Sequence, residues 1–550
     1  MIMKLNLEGL KDRKAWEDKG FKLPRFDVAA VRERTRRSPV WLHMGAGNIF
    51  RIFPAAAQQA LLDVGIADTG IIVCEAFDEE IADTSFSPYD NLCVGVTMKT
   101  DGFDAEVIAS MTECLKASEH RARLTEIFTN PSLQMVSFTI TEKGYSVKNA
   151  EGLMPHIAAD IAAGPEKAAS LIGITAALCL ARFQANAAPL ALVSMDNCSE
   201  NGDQLKKAVM TVAQGWVEAG TAPEGFLKYL APDEPGAGVA FPWSMIDKIT
   251  PRPSEIVKSS LEKMALEDVE IVRTSKNTYV APFINAEEAQ YLVVEDAFPN
   301  GRPALEKAGV IFTDRETVKA VEAMKVGACL NPLHTVLAVF GCVLGYGYIY
   351  EAMRDAALVE LIKRIGSNEA LPWVPDPGII RPKDFLDQVI KTRLPNPHIP
   401  DTPQRIATDT SQKIPVRFGE TLRKMSAAGK NIAELRGFPF FFAGWLRYLM
   451  AVDDGGLPFE PSPDPMLAEL TGYMEGVKIG AGDRGRPPLH ERVDEQNVEL
   501  AVRPILSNPA IFGVDLYTCG LAEKVIDWFK VFIEAPGAVR KALDREFGKT

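Results

Sequence analysis

The sequence predicts an α/β domain with a parallel sheet followed by a mostly α-helical domain. Three observations lead there. Apolar strand-like runs alternate with helical runs through the first half of the chain, the pattern of β-α-β units. Glycines follow the first of those runs and open a helix. Beyond about residue 315, apolar residues recur at helical spacing and strand-like runs become rare. The expected domains are therefore residues 1–315 and 316–550.

In chain order, residues 40–44 form a short apolar stretch ending in glycines, and 54–64 an Ala/Gln/Leu helix. Residues 71–74 give a second buried strand, and 92–98 with 106–108 an added hairpin. Residues 135–141 and 190–195 are further strands, joined by a crossover helix over 166–185. In the second half, helical spacing covers 316–326, 331–365, 403–427, 431–454 and 520–546. Pro/Gly-rich stretches at 371–403 and 453–488 interrupt it, and GAGDRGRPP in the second reads as a surface loop or lid.

The 550 residues are 47% hydrophobic and 24% charged, ample for a globular core. A net charge of −13 argues against nucleic acid as a partner, because phosphate backbones call for clustered Lys and Arg. A small anionic substrate needs only two or three local cations. The charged start, MIMKLNLEGLKDRKAWEDKG, lacks an apolar core, so no signal peptide is expected. No run of about 18 apolar residues is expected to span a membrane. The eight scattered cysteines form no C-x-x-C pair and the six histidines have no metal-ligand spacing, so a reduced, cytoplasmic protein without a metal is expected.

Gly45 and Gly47 suit close approach of a pyrophosphate, with Asn48 opening the helix; Phe50 stands where a third glycine is usual, and Pro54 fits a first helical turn. At the end of the second strand, Glu75 and Asp78 are alternative carboxylates for a ribose, and either favours NAD over NADP. An ordinary strand-to-loop turn and solvated loop acids would look the same.

Residues 321–334, VEAMKVGACLNPLH, place Lys325, Asn331 and His334 within ten positions of an apolar run. A lysine whose pKa is lowered by burial can take a proton from an alcohol. An amide and a neutral imidazole can hold the oxygen that becomes a carbonyl. Pro332 suggests Asn331 as N-cap with proline at the first helical position. His334 then lies in the first turn, where the dipole disfavours imidazolium. A capped helix with a core histidine would read alike, as would a snorkelling Lys325. Glu322 can relay a proton or form a surface pair. Asn197 follows a buried strand, where ligands of open α/β sheets sit.

The segments HMGAGNIFR, SFTITEKGY, SMDNCSENG, FPWSMIDKITP, VEDAFPNGRPALEKAGVIF and RIATDTSQKIP together resemble the long-chain mannitol dehydrogenase family over residues 40–545. The resemblance implies a Rossmann-like first domain, a helical substrate domain, and zinc-independent, NAD-dependent interconversion of a secondary alcohol and a ketone. It implies that Lys325 is the base, and that Asn331 and His334 hold the reacting oxygen. It sets Asn197, Asp247, Arg405 and Lys413 around the substrate. D-fructuronate/D-mannonate is the reading preferred over a polyol such as mannitol. A non-catalytic NAD sensor and an NAD-using epimerase are the alternatives. Two departures stand out. Phe53-Pro54 replaces the family's Ala-His-Gln. Five residues, not the family's four, separate Lys325 from Asn331. On an unbroken helix, that extra residue turns Lys325 by about 100°. A π-bulge would absorb it, or Gly327 would end one helix before Asn331 caps the next.

Overall fold

The computed structural model describes residues 3–99, 102–149, 152–234, 236–397, 399, 401–480 and 495–548. It divides into two compact units, Met1–Lys319 and Ala320–Thr550.

The first unit is built on a six-stranded parallel sheet. Its strands, in chain order, are β1 (Trp41–Met44), β2 (Ile71–Glu75), β3 (Met111–Lys116), β4 (Met135–Phe138), β5 (Leu190–Ser194) and β6 (Val239–Ala240). They lie in the order β3-β2-β1-β4-β5-β6, all parallel. This is the Rossmann arrangement, whose chain reversal lies between β1 and β4. Alternate residues face opposite layers. Leu42, Met44, Ile72, Val136, Phe138 and Leu192 pack beneath the helices Leu171–Ala185 and Asn201–Glu218. Trp41, Ile71, Val73, Met135 and Val193 pack on the opposite face with the helix Pro54–Asp63.

The expected hairpin is present as Cys93–Lys99 and Gly102–Ile108, and it is extended on both sides by parallel strands. The crossover helix is shorter than expected. Ser170 caps it by accepting from Gly173 N at 3.1 Å, so it starts at Leu171, after a 3-10 turn at Pro165–Lys167. Arg182 on this helix is fully buried and donates to the carbonyls of Leu133 and Pro189, fixing the chain as it enters β4 and β5.

The second unit is helical. Its central helix, Asn331–Leu344, packs against Gly437–Leu449, which in turn packs against Ala522–Phe532. Phe340, Phe440 and Phe532 meet in that core. The Pro/Gly-rich stretch 371–403 carries its own short elements among the described residues. It contains a 3-10 turn at Leu371–Trp373, a helix at Pro382–Gln388 and a π-turn at Val389–Arg393. The expected helix over 403–427 is three short helices, broken at Asp409 (φ 54°) and Phe418. Residues 481–488 of the expected lid lie outside the described residues.

Contrary to the expectation from composition, Arg315–Leu344 is long and apolar enough to cross a bilayer; 78% of its most apolar window is buried within the protein, as in a core helix.

His43 in β1 is fully buried. It sits between Ser137 Oγ at 2.7 Å and Thr139 Oγ1 at 2.9 Å, and stacks on Phe50 at 3.6 Å. Burial pushes its pKa well below the usual histidine value. The unfolded chain therefore takes up the proton first, and stability conferred by neutral His43 is lost as pH falls below about 6.5. His43→Asn should lower the Tm at pH 8 through a loss of about 1–3 kcal/mol. It should also flatten the fall in Tm between pH 7 and 5; an unchanged slope in scanning calorimetry would count against this.

Candidate active site

In the first unit, candidate residues gather beyond the carboxyl ends of the strands. Gly45 has φ 106°, and a Cβ there would lie 2.5 Å from the Thr139 carbonyl oxygen, so only glycine fits between β1 and β4. Gly47 caps a short helix, Asn48–Ile52, and its missing Cβ faces open space. The chain kinks at Phe53, and Pro54 starts the longer helix as its sequence anticipated. Phe50, in place of a third glycine, fills the gap against His43. The Asn48 amide oxygen accepts from the buried Arg51 at 2.8 Å, and Arg51 also donates to Ala281 O.

The two alternative carboxylates separate clearly. Glu75 accepts from Ala46 N at 2.8 Å and from Ala76, Phe77 and Asp78 N at 3.1, 2.9 and 3.1 Å. Both oxygens are thus engaged by backbone, Oε1 three times and Oε2 once. Glu75 ties the glycine turn to the loop after β2. Asp78 is also buried: Oδ2 accepts from Thr274 Oγ1 at 2.7 Å, while Oδ1 has no hydrogen-bond partner. Asp78 borders a cavity of about 520 Å³, with Phe77, Ser118, Arg121, Lys167 and Lys276 among its walls.

At the ends of β4 and β5, Asp196 accepts from Ile140 N (2.9 Å), Thr141 N (3.1 Å) and Tyr145 Oη (2.6 Å). Burial raises its pKa, against those hydrogen bonds. The clamp leaves Asn197, the next residue, exposed on the loop. Asp247 is buried at the end of the strand Ser244–Asp247, which Asn201 pins to β5 through Ser244 N (3.0 Å) and Ser244 O (2.9 Å).

In the second unit, Lys325 is buried and opens a π-turn, Lys325–Cys329. Leu330 N donates to Lys325 O at 3.3 Å, an i to i+5 bond. The turn therefore houses the extra residue, and the chain runs through Gly327 without ending a helix there. Because Leu330 takes the cap position, Asn331 is the first residue of the next helix and Pro332 the second. This corrects the expected N-cap by one residue, and the Asn331 amide is not spent on capping. Glu322, half-buried, lies in the last turn of Arg315–Met324.

His334 follows in the first turn of Asn331–Leu344. Its pKa is lowered to about 3, by burial first and then by Arg417, Arg405, Arg393 and Lys413. A shift of that size keeps the imidazole neutral near pH 7, and four cations contribute to it. Arg417 donates to Asn331 O at 3.3 Å and to Thr335 Oγ1 at 2.5 Å, and burial lowers its pKa to about 10. Arg405 pairs with the buried Asp401, whose Oδ2 lies 3.8 Å from His334 Nε2. Lys413 donates to the carbonyls of Ile406 and Thr408; burial, then Arg417, lowers its pKa to about 8.

Arg393, Asp401 and Arg417 were not anticipated. Arg417 lies one helical turn beyond Lys413, and Asp401 four residues before Arg405, just ahead of its helix; that four-residue spacing is the signal that was available. Among the described residues, no group of three or more His, Cys, Asp or Glu side chains could hold a metal ion.

Residues 40–307 match the mannitol dehydrogenase Rossmann domain, and residues 317–485 match the mannitol dehydrogenase C-terminal domain. The chain belongs to the long-chain mannitol dehydrogenase family. Among named proteins, it is 48% identical to D-mannonate oxidoreductase of Thermotoga maritima, over 100% of this chain and 99% of that one. It is 30% identical to mannitol 2-dehydrogenase of Cereibacter sphaeroides, over 80% and 86% of the two chains. A solved structure of Pseudomonas fluorescens mannitol 2-dehydrogenase, a ternary complex with NAD and D-mannitol, shares the fold. Its TM-score is 0.74 at 24% identity, with each chain fully covered.

Replacing Arg417 with methionine should raise the His334 pKa from about 3, since Arg417 is the foremost of the charges holding it down. Titration of the imidazole by NMR would show this; an unmoved value would mean burial alone sets it.

Proposed function

We propose that this protein is an NAD-dependent oxidoreductase that interconverts the secondary alcohol of a hexonate and the corresponding ketone, with D-mannonate and D-fructuronate as the pair. The observation that carries the anionic substrate is the set of four cations, Arg393, Arg405, Lys413 and Arg417, acting on one neutral imidazole. A hexonate carboxylate offers them a charge to pair with, though Arg405 and Lys413 also match positions of family members that act on neutral polyols. The 48% identity to a D-mannonate oxidoreductase along the whole chain supports the same choice.

The first unit fits a dinucleotide. Gly47 leaves open space beside the turn, and Asp78 keeps a buried carboxylate oxygen without a partner. Gly45, Gly47 and Asn48 would hold the pyrophosphate, and Asp78 the ribose. A carboxylate there disfavours the extra phosphate of NADP. Bound NAD supplies the hydride acceptor. Asn197 and Asp247 are assigned to the substrate side.

The chain's own chemistry is proton handling and orientation. Lys325 takes the hydroxyl proton, and Glu322 passes it onward. Asn331 and neutral His334 hydrogen-bond the oxygen as it becomes a carbonyl; a charged imidazole would instead be a second acid, able to give a proton to that oxygen in the reverse direction. Arg405 and Lys413 bind the substrate's carboxylate.

Steady-state kinetics with NAD should give a higher kcat/KM for D-mannonate than for D-mannitol; equal or greater turnover of mannitol would overturn the hexonate reading. Lys325→Ala should abolish NADH formation while NAD still binds, separating an enzyme from a sensor. An epimerase would turn over without net NADH. Lys413 keeps its proton below about pH 8 and loses it above. The KM for mannonate should therefore climb between pH 7.5 and 9.5. Lys413→Gln should remove that rise.

A further inference from the structure

Asp401 stands apart from the cations around it. Its carboxylate lies within 4 Å of the His334 ring, and only 4% of the residue is exposed. Its carbonyl is fixed by Ile349 N at 2.9 Å, and Thr402, the next residue, caps the helix Pro403–Ala407. The carboxylate is thus held from both sides of the backbone. One oxygen, Oδ1, is taken by Arg405. The other, Oδ2, stands 3.8 Å from His334 Nε2, too far for the two to satisfy each other. A polar gap of this width is where a third oxygen or oxygens belong.

A ring N–H and a carboxylate oxygen so placed suit the two oxygens of a vicinal diol. The imidazole can donate to the first oxygen, and the carboxylate can accept from the second. Held by Arg405, the Asp401 carboxylate presents an acceptor, so it selects a hydroxyl and rejects a second carbonyl or carboxylate. Arg405, with its side chain 58% exposed, keeps part of its guanidinium for an incoming anion.

We propose that Asp401 is a substrate-contact residue, accepting a hydrogen bond from the hydroxyl next to the carbon oxidised while His334 Nε2 holds the reacting oxygen. This rests on the reading of His334 given above. Asp401 would then set specificity for a 1,2-diol unit, with Arg405 both orienting it and binding the distant carboxylate.

The test compares the wild-type protein and Asp401→Asn on D-mannonate, D-mannitol and the two mono-deoxy hexonates that lack a hydroxyl on either carbon flanking the oxidised one. For the wild type, one of the two deoxy compounds should lose about 10–100-fold in kcat/KM, the range for a hydrogen bond to a charged group. Asp401→Asn should lose a similar factor on the intact substrate, with NAD affinity unchanged, and should no longer discriminate against that deoxy compound. A merely structural aspartate would leave the discrimination intact. The inference is overturned if the wild type accepts both deoxy compounds as well as the parent, a result that needs no variant. It is overturned equally if Asp401→Asn keeps the wild-type preference. Failure of mannonate with success of mannitol would overturn the hexonate reading alone, and the Asp401 comparison would stand on mannitol.

Discussion

The helical unit concentrates positive charge around a group that must stay uncharged. Arg393, Arg405, Lys413 and Arg417 all act on His334, and each lowers its pKa after burial has already done so. Much of the neighbourhood answers that concentration. Arg417 is spread over a helix-start carbonyl and a threonine hydroxyl; Lys413 is held by two carbonyls; Arg405 is balanced by Asp401. A protonated His334 would add a fifth cation to this group, so its neutrality follows from its surroundings and not from its own chemistry.

The dinucleotide half solves a different problem, that of joining loops at strand ends without side chains in the way. Glu75 gathers four backbone amides from two loops, and Asp196 gathers two amides and a phenol from the one segment that follows β4. Both acids sit at the carboxyl edge of the sheet, yet both look inward. The residues they leave facing outward, Gly47 and Asn197, are the ones with room for a ligand.

Much of this was readable in the residues. Burial on both faces of β1, β2, β4 and β5 follows from unbroken apolar runs, and the glycine turn identified the first crossover. Lys325, Asn331 and His334 stood out because polar groups are costly in so apolar a run. Other features were hidden for physical reasons. Glu75 and Asp78 are both acids after a strand, and only the backbone path shows which is consumed by its own loop. The cap moved from Asn331 to Leu330 because a π-turn shifts the hydrogen-bond register, which residue identity does not report. Asp401 lay in a Pro-rich stretch that reads as a loop, and its partner His334 is 67 positions away in the sequence.

The π-turn at Lys325–Cys329 also bears on how this chain can change length. In a packed α-helix, loss of one residue rotates everything beyond it by about 100° and breaks every contact downstream. A π-turn already contains the surplus residue. Shortening the chain there by one position returns it to ordinary α geometry and leaves both flanking helices in phase. Lys325–Cys329 is thus a seam at which deletion of one residue is silent for the fold, set between the proposed base and the residues proposed to hold its substrate.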